Sequence, residues 1–419
     1  MKGNNYLMRK GVFSPTDILI PNEYISFELW SVIACDQFTS QCDYWERVKN
    51  IVGECPSTLK MIIPEATLNL IDEEKEINKI SSTMKDYIKQ GVFREIKNSF
   101  IYVERTLADG CIRRGLVGAV DLEEYDFTHE SGKTASILSS EDTVLDRLPP
   151  RIRVRKAASL ELPHIITLIA DKNNTVIEPL DDIKQNLPLV YDFKLMEGGG
   201  YLKGYQVSGS YADSILKALQ LLQEKNTSSR GLMIMGDGNH SLAAAKSYWN
   251  DVKESLNDFD KETHPARYAL LELNNIYDSA IRFEAIHRVM FNIDNELFIN
   301  NLTKTIKHGN DYKIQILTSN ESISVGVSAN TTGEVIEKVQ NIIDNYIEQG
   351  GGYVDYIHDV DVLKKLVIDN NCVGIILPTV TKPEFFDVVT ANGIFPRKSF
   401  SIGHAEDKRY YMECRKLVI

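Results

Sequence analysis

Long apolar runs are missing from this 419-residue chain. None approaches the ~20 residues that a membrane-crossing helix requires, which sets membrane insertion aside. Its six cysteines, Cys35, Cys42, Cys55, Cys111, Cys372 and Cys414, form no C-x-x-C pair and no zinc-ligand spacing. No histidine pair sits at H-E-x-x-H spacing, so a dedicated zinc site is not expected. The start, MKGNNYLMRKGVFSPTD, lacks the apolar core of an export signal, and with the scattered cysteines it points to a reducing cytoplasm. Positive charge is in deficit: a net charge of −12 and a pI near 5.3 argue against a nucleic-acid binder that works by phosphate neutralisation. Small-molecule or protein partners are expected instead. With 43% apolar and 25% charged residues, the chain has the makeup of a soluble globular protein of two or three domains.

Of what is present, the run Gly231 to Trp249, GLMIMGDGNHSLAAAKSYW, says most. Leu232, Met233, Ile234 and Met235 suit a buried strand, and Ala243 to Ala245 with Tyr248 and Trp249 predict a helix with an apolar face. Between them lies a polar turn of Gly236, Asp237, Gly238, Asn239 and His240. Two glycines allow backbone conformations that a side chain forbids, and the unpaired first N–H groups of the helix face the turn, a layout that suits a phosphate. A second reading stands beside it: Asp-Gly also punctuates hairpins, and Asp237 or Asn239 is then only a helix cap. His240 favours a ligand, being a polar ring at the helix entrance beside a carboxylate able to hold a proton or a metal-bound water.

Around this turn, short apolar runs alternate with helical segments. Asp43 to Val52, after a cap at Ser40, and Glu73 to Gln90 read as helices; Phe100 to Glu104 and Arg114 to Asp121 read as strands joined at Asp109-Gly110. Arg147 to Lys156 carries five basic residues and no acidic one. Extended, it would align Arg151, Arg153 and Arg155 on one face, either a solvated edge strand that blocks aggregation or a face turned to phosphate. Tyr201 to Val207 reads as a strand, and Ser214 to Lys225 as an amphipathic helix with Ile215, Leu219 and Leu222 on one side. His287-Arg288 closes an apolar strand-like run and would meet the central turn if the two strands were neighbours; alone it is a surface or capping pair. Val373 to Leu377 is a strand, and Thr381 to Glu384 forms a capping box. Pro396 to Arg409 gathers Arg397, Lys398, His404, Lys408 and Arg409, a donor-rich segment or a solvated tail. The pattern is α+β, a mixed α/β chain without internal repeats, divided as 1–125, 126–291 and 292–419.

Two phosphate motifs fail. Glu130 to Thr134 contains GKT, but Phe127 stands where the first P-loop glycine belongs and no apolar strand leads in. Gly198 to Gly204 has the wrong spacing for a dinucleotide fold. Mg²⁺ carried by a nucleotide needs only one or two carboxylates, and Asp237 supplies one.

Several segments share a family pattern: ACDQFTS from Ala34, YVERTL from Tyr102, RRGLVGAVDLEEYDF from Arg113, GDGNHSLAAA from Gly236, FEAIHR from Phe283 and FPRKSFSIGHAEDKRYY from Phe395. Together they resemble the bacterial domain of unknown function 1015 (DUF1015) family over nearly the whole chain, nearest its clostridial-type branch. The family's central motif is a strand, Asp-Gly-His-His-Arg and a helix. This chain keeps Asp237, Gly238 and His240 and places Asn239 and Ser241 where His and Arg are common. That motif is similar to one in the ParB and sulfiredoxin-like fold, whose members bind nucleotide phosphates at this helix N-terminus. The resemblance implies a ParB/sulfiredoxin-like nucleotide-binding core at 126–291, embedded in a larger α/β chain.

Among those proteins are free-serine kinases, which use ADP or ATP as donor and a Glu upstream of the motif as general base. On the resemblance, Glu141 in Ser140-Glu141-Asp142-Thr143 corresponds to that base, with His129-Glu130 the alternative. Gly236, Gly238, Asn239 and Ser241 would hold nucleotide, and Arg147, Arg288 or Arg397 would compensate for the arginine missing at Ser241. Asp36 lines the pocket or caps a helix.

Three readings follow. The first is a cytoplasmic kinase for a small hydroxyl metabolite, free L-serine leading, with Mg²⁺ and ADP or ATP. Glu141 is its base, Asp237 positions metal or substrate, and His240 contacts phosphate. The second is a non-catalytic nucleotide-binding switch of ParB-like type, which binds without forming product. The third is a phosphohydrolase, which releases phosphate without an acceptor.

Overall fold

Alternating burial along two long neighbouring strands organises most of the molecule. The computed structural model describes residues 11–39, 41–128, 135–145, 148–225, 231–391 and 393–418. Phe93–Thr106 pairs antiparallel with Ile112–Asp121, and the tight turn between them takes Gly110 to φ 83°. Ile101, Val103 and Val117 pack into one apolar cluster with Val48 and Val52 of helix Cys42–Val52 and Ile80 and Met84 of helix Glu73–Lys89. Their neighbours Phe100, Tyr102 and Leu116 pack into another with Ile215 and Leu219 of helix Ser210–Lys225 and Leu242 to Ala245 of helix Asn239–Lys253. Both faces of the sheet are therefore covered by helices, as the two-residue period of a strand allows.

Among the described residues eleven strands belong to this sheet, nine in one continuous order and two, Phe13–Ser14 and Thr16–Pro21, paired beside Ile112–Asp121 and Phe93–Thr106. From one end it runs Tyr125–Asp126, Ile137–Leu138, Met233–Asp237, Ile166–Ile169, Tyr268–Asn275, Ile112–Asp121, Phe93–Thr106, Tyr201–Val207 and Leu189–Lys194. Parallel and antiparallel pairs are mixed, which gives the α+β class expected from the sequence. The chain forms two compact units, the first running to Ile281 and taking up the C-terminal stretch from Ala405, the second being Arg282–His404. This differs from the division at 125 and 291, because Tyr268–Asn275 pairs with Ile112–Asp121 across that first boundary. Among the described residues no helix is long and apolar enough to cross a membrane.

The second unit has its own five-stranded antiparallel sheet, ordered Ser322–Val327, His308–Leu317, Val373–Ile376, His287–Phe291 and Tyr353–Ile357. Helices Asn295–Thr305 and Thr332–Glu348 share its main apolar cluster. Half of the expected capping box is seen: the Thr381 side chain accepts from the Glu384 N–H ahead of helix Lys382–Thr390, while the Glu384 carboxylate accepts from the Thr332 N–H and hydroxyl.

One expected element is corrected. Leu148–Ala157 is a helix, not an extended segment, with Pro149 and Pro150 in its first turn where missing N–H groups cost little. Its arginines find separate acids: Arg151 pairs with Glu65, Arg153 with Glu73 at 2.6 Å and Arg155 with Glu161 at 2.7 Å. Neither the edge strand nor the phosphate-facing row is formed.

Candidate functional site

Met233, Ile234 and Met235 are fully buried, and their strand ends at Asp237 beside the start of strand Ile166–Ile169, with Asp237 opposite Ile166. Gly238 takes φ 80°, ψ 26° and opens the helix at Asn239. A side chain there would be strained by the left-handed backbone and would press on Ile165, whose Cα lies 3.1 Å from a Cβ built on the glycine. The turn thus needs glycine, and the first N–H groups of an 15-residue helix face outward from it.

The turn is tied to the segment that holds Glu141. Ser139 donates to the Glu141 carbonyl at 2.6 Å, Asn239 Nδ2 donates to Ser140 Oγ at 3.3 Å, and the Val144 N–H donates to His240 Nε2 at 3.2 Å. The structure therefore brings Gly236 to Ser241 together with the half-buried Glu141 segment. The Nε2 face of His240 is engaged by backbone.

A second set of residues, none of them joined to this turn by sequence spacing, completes the site. Ser241 Oγ lies 3.1 Å from His164 Nε2, and His164 Nδ1 lies 3.1 Å from the Tyr411 hydroxyl. Asp36 Oδ2 stands 4.0 Å from the same Nε2. Lys408 Nζ lies 3.2 Å from Asp237 Oδ2, with the lysine side chain 9% exposed. The fold explains each arrival. His164 precedes the strand that lies next to Met233–Asp237, and residues 32–34 run antiparallel to 409–411 through the Ile33–Tyr410 bridge, which delivers Asp36 and Lys408 together. Arg409 donates to the Pro163 carbonyl, to Glu272 at 2.8 Å and to Glu413 at 2.6 Å, so the residue before His164 is clamped to the sheet. Gly115 leaves the space that the Glu272 side chain fills.

Burial alone would raise the Asp36 pKa, but His164, a Gln37 amide donor and Lys408 together outweigh it and hold the carboxyl below its usual range. Burial, with Asp36 nearby, pushes the Cys35 thiol up to about 12, and burial likewise lifts the Tyr411 phenol well above its ordinary value. Cys35 and Tyr411 are thus neutral beside an ionised Asp36. Among the described residues no cluster of three or more His, Cys, Asp or Glu is arranged to hold a metal ion by itself.

Other expected residues are not among those gathered at this turn in the described part of the first unit. Arg147, Glu130 and Ser40 fall outside the described residues. Arg288 is fully buried within the second unit, where it bonds Gln340 and the Ile286 carbonyl and stacks on Tyr356 at 4.7 Å, so it sits in a core and not on a phosphate-facing surface. Its strand pairs with Tyr353–Ile357 and Val373–Ile376, in a different sheet from Met233–Asp237. Arg397 is exposed in the second unit. Lys408 and Arg409, expected in a donor-rich segment or a solvated tail, are buried and paired. His164 had no motif to announce it, its one sequence signal being a lone polar ring between Pro163 and the apolar run Ile165 to Ile169, whereas Tyr411 closes the family-like segment that begins at Phe395.

A family model described as "Protein of unknown function (DUF1015)" matches residues 17–357. No curated protein matches the chain. Among solved structures, similarity is found to a free serine kinase variant in complex with ADP, at 9% identity over 71% of this chain and 91% of that one, with a TM-score of 0.40. A conserved hypothetical protein from Pyrococcus furiosus matches at 11% identity over 71% and 94%, TM-score 0.35. SbnI with a C-terminal truncation, from Staphylococcus aureus, matches at 10% identity over 68% and 82%, TM-score 0.37.

Proposed function

We propose that this chain, which belongs to the DUF1015 family, is a cytoplasmic nucleotide-dependent kinase that transfers a phosphoryl group from ADP or ATP to a small hydroxyl metabolite, with free L-serine as the first acceptor to test. The observation that carries the reading is the paired Asp237 and Lys408 beside a helix that opens on a left-handed glycine. Phosphoryl transfer asks a protein for placement and charge neutralisation more than for covalent chemistry. The backbone N–H groups of Asn239 and His240 would take the donor's phosphate oxygens, with the Lys408 ammonium as the nearby cation. Asn239 and His240 would hold the turn against the Ser139–Val144 segment, which supports placing Glu141 at the acceptor hydroxyl as general base.

Mg²⁺ fits as a companion of the nucleotide, since a phosphate-borne ion needs few protein ligands and Asp237 would be one of them. Bound, it would neutralise charge on the transferring phosphoryl group. Engagement of His240 by the Val144 N–H supports a second reading, a nucleotide-binding switch in which this ring fixes the loop and does no chemistry.

Phosphorus NMR of the protein with Mg²⁺ and L-serine, using ADP and ATP in parallel and serine-free controls, separates these readings. A serine-dependent phosphomonoester signal is expected; intact nucleotide in both samples favours the switch, and serine-independent free phosphate favours hydrolysis. Glu141→Gln is expected to slow turnover by ~10²–10⁴ with nucleotide affinity nearly unchanged, and normal turnover in that variant removes Glu141 from the base role.

A further inference from the structure

We propose that Ser241 is a nucleophile, activated by His164, that accepts the phosphoryl group from the bound nucleotide before it passes on. The proposal rests on the nucleotide-dependent reading above. Its basis is a hydroxyl within hydrogen-bond reach of an imidazole that a third group orients, the arrangement by which activated serines are recognised whatever the fold.

The Tyr411 oxygen accepts the Cys35 N–H at 3.3 Å and lies 3.1 Å from His164 Nδ1. In the tautomer with its hydrogen on Nδ1, His164 donates to that oxygen and presents a bare Nε2 to the Ser241 O–H. Asp36, 4.0 Å from that Nε2, would stabilise the imidazolium once the proton arrives. Tyr411 and Asp36 are positioning residues here; in the first transfer Ser241 and His164 touch the reacting atoms.

Alternatives without chemistry fit less well. The Ser241–His164 bond satisfies two partly buried groups, yet an apolar pair of similar volume would avoid the desolvation of His164 and Asp36 altogether. Both stay partly open, their side chains 11% and 25% exposed, as a site must and a structural core need not.

In the step, Ser241 Oγ attacks the terminal phosphorus of the nucleotide while its proton passes to His164 Nε2. The Oγ–P bond forms, the bond from phosphorus to the bridging oxygen breaks, and the nucleotide leaves with that electron pair. Next, the acceptor hydroxyl attacks the phosphoserine and gives its proton to Glu141, and Ser241 leaves with the proton held on His164. No oxidant or further reactant is needed.

The test incubates the full chain with Mg²⁺ and ATP, and in parallel with Mg²⁺ and ADP, without any acceptor, followed by intact-mass measurement and phosphopeptide mapping. One phosphoryl group on Ser241 is expected with one of the two donors. Ser241→Ala should abolish the modification and His164→Gln should slow its formation by ~10²–10⁴, while calorimetry finds nucleotide affinity within a few-fold of the parent for both. A structural role for His164 would instead lower affinity and thermal midpoint together. Nucleotide bound with Ser241 unmodified overturns the proposal, and Ser241→Ala that still phosphorylates L-serine does so while leaving the kinase reading intact. No nucleotide binding at all overturns both.

Discussion

Replacing Lys408 with Met asks how much the ion pair at the turn contributes to the fold and to the handling of phosphate. Its ammonium lies 3.2 Å from the Asp237 carboxylate, with 9% of the lysine side chain and 22% of the aspartate exposed. At that separation two unit charges attract by about 5 kcal/mol at an effective dielectric of ~20 and by about 1 kcal/mol in bulk water. Lost hydration of both groups offsets much of the larger figure, so a net coupling of about 1.5–3 kcal/mol is expected. Lys408→Met strands Asp237 and removes a cation that also helps hold Asp36 ionised; Asp237→Asn strands a nearly buried lysine. Each single change should cost about 2–3 kcal/mol, and the double change should cost less than their sum by the coupling energy. All three tryptophans, Trp30, Trp45 and Trp249, belong to the first unit, so urea unfolding followed by tryptophan fluorescence reads the unit that carries the pair. A coupling below about 0.5 kcal/mol would refute the electrostatic argument. Affinity for ADP without added metal should separate the partners: Lys408→Met should weaken it by about tenfold or more, ~1.4 kcal/mol, whereas Asp237→Asn should leave it unchanged or tighter. Equal losses from both would show that the lysine acts only through stability.

Two further changes probe the backbone of the turn and the core of the second unit. Gly238→Ala forces an L side chain to φ 80° and a Cβ to 3.0 Å from Ile165 Cγ1, so a loss of about 2–4 kcal/mol in the same urea assay is expected, and an unchanged midpoint would sink the claim that the turn needs glycine. His287 is depressed to about 4 by burial and by neighbouring Arg288, against a pull from Asp359, so the folded state favours its neutral ring. That contribution is complete above the ordinary value of 6.5 and is lost as pH falls toward 4, because the unfolded chain takes the proton first; the loss is about 3 kcal/mol. Hydrogen exchange of the Val373–Ile376 amides at pH 7 and pH 4.5 should register it, and a His287→Gln variant with the same pH dependence as the parent would overturn the assignment.

What could be read from the sequence was local. Thr381 caps its helix, Asp109-Gly110 turns its hairpin, and the apolar run before Gly236 becomes a strand that feeds a helix, because each signal is set by neighbours within a few residues. The segment Leu148–Ala157 misled for the same reason. Basic residues at every second position suggest a strand, and there was no apolar stripe to reveal the helix, whose acids Glu65, Glu73 and Glu161 come from elsewhere in the chain. His164 and Lys408 reach the turn only through strand order and the antiparallel run of 32–34 against 409–411, both properties of the three-dimensional pairing. A sheet that joins 112–121 to 268–275, across the division read at residue 125, likewise leaves no trace in composition.

Position 241 shows how the departure from the family's usual motif is accommodated. An arginine at the third residue of this helix would project a long cation from the place where Ser241 now meets His164 at 3.1 Å, and the imidazole could not remain there. A serine is short enough to admit the ring, and the ring brings Tyr411 and Asp36 with it. The positive charge that phosphate would require then comes from the other side of the turn, through Lys408 on Asp237. Four segments, 34–36, 163–164, 236–241 and 408–411, supply these partners: backbone bonds join 32–34 to 409–411 and Ile166 pairs with Asp237, while the Arg409 guanidinium ties down the Pro163 carbonyl. The cation beside this turn thus comes from the C-terminal stretch, and the third residue of the helix sets a hydroxyl against an imidazole.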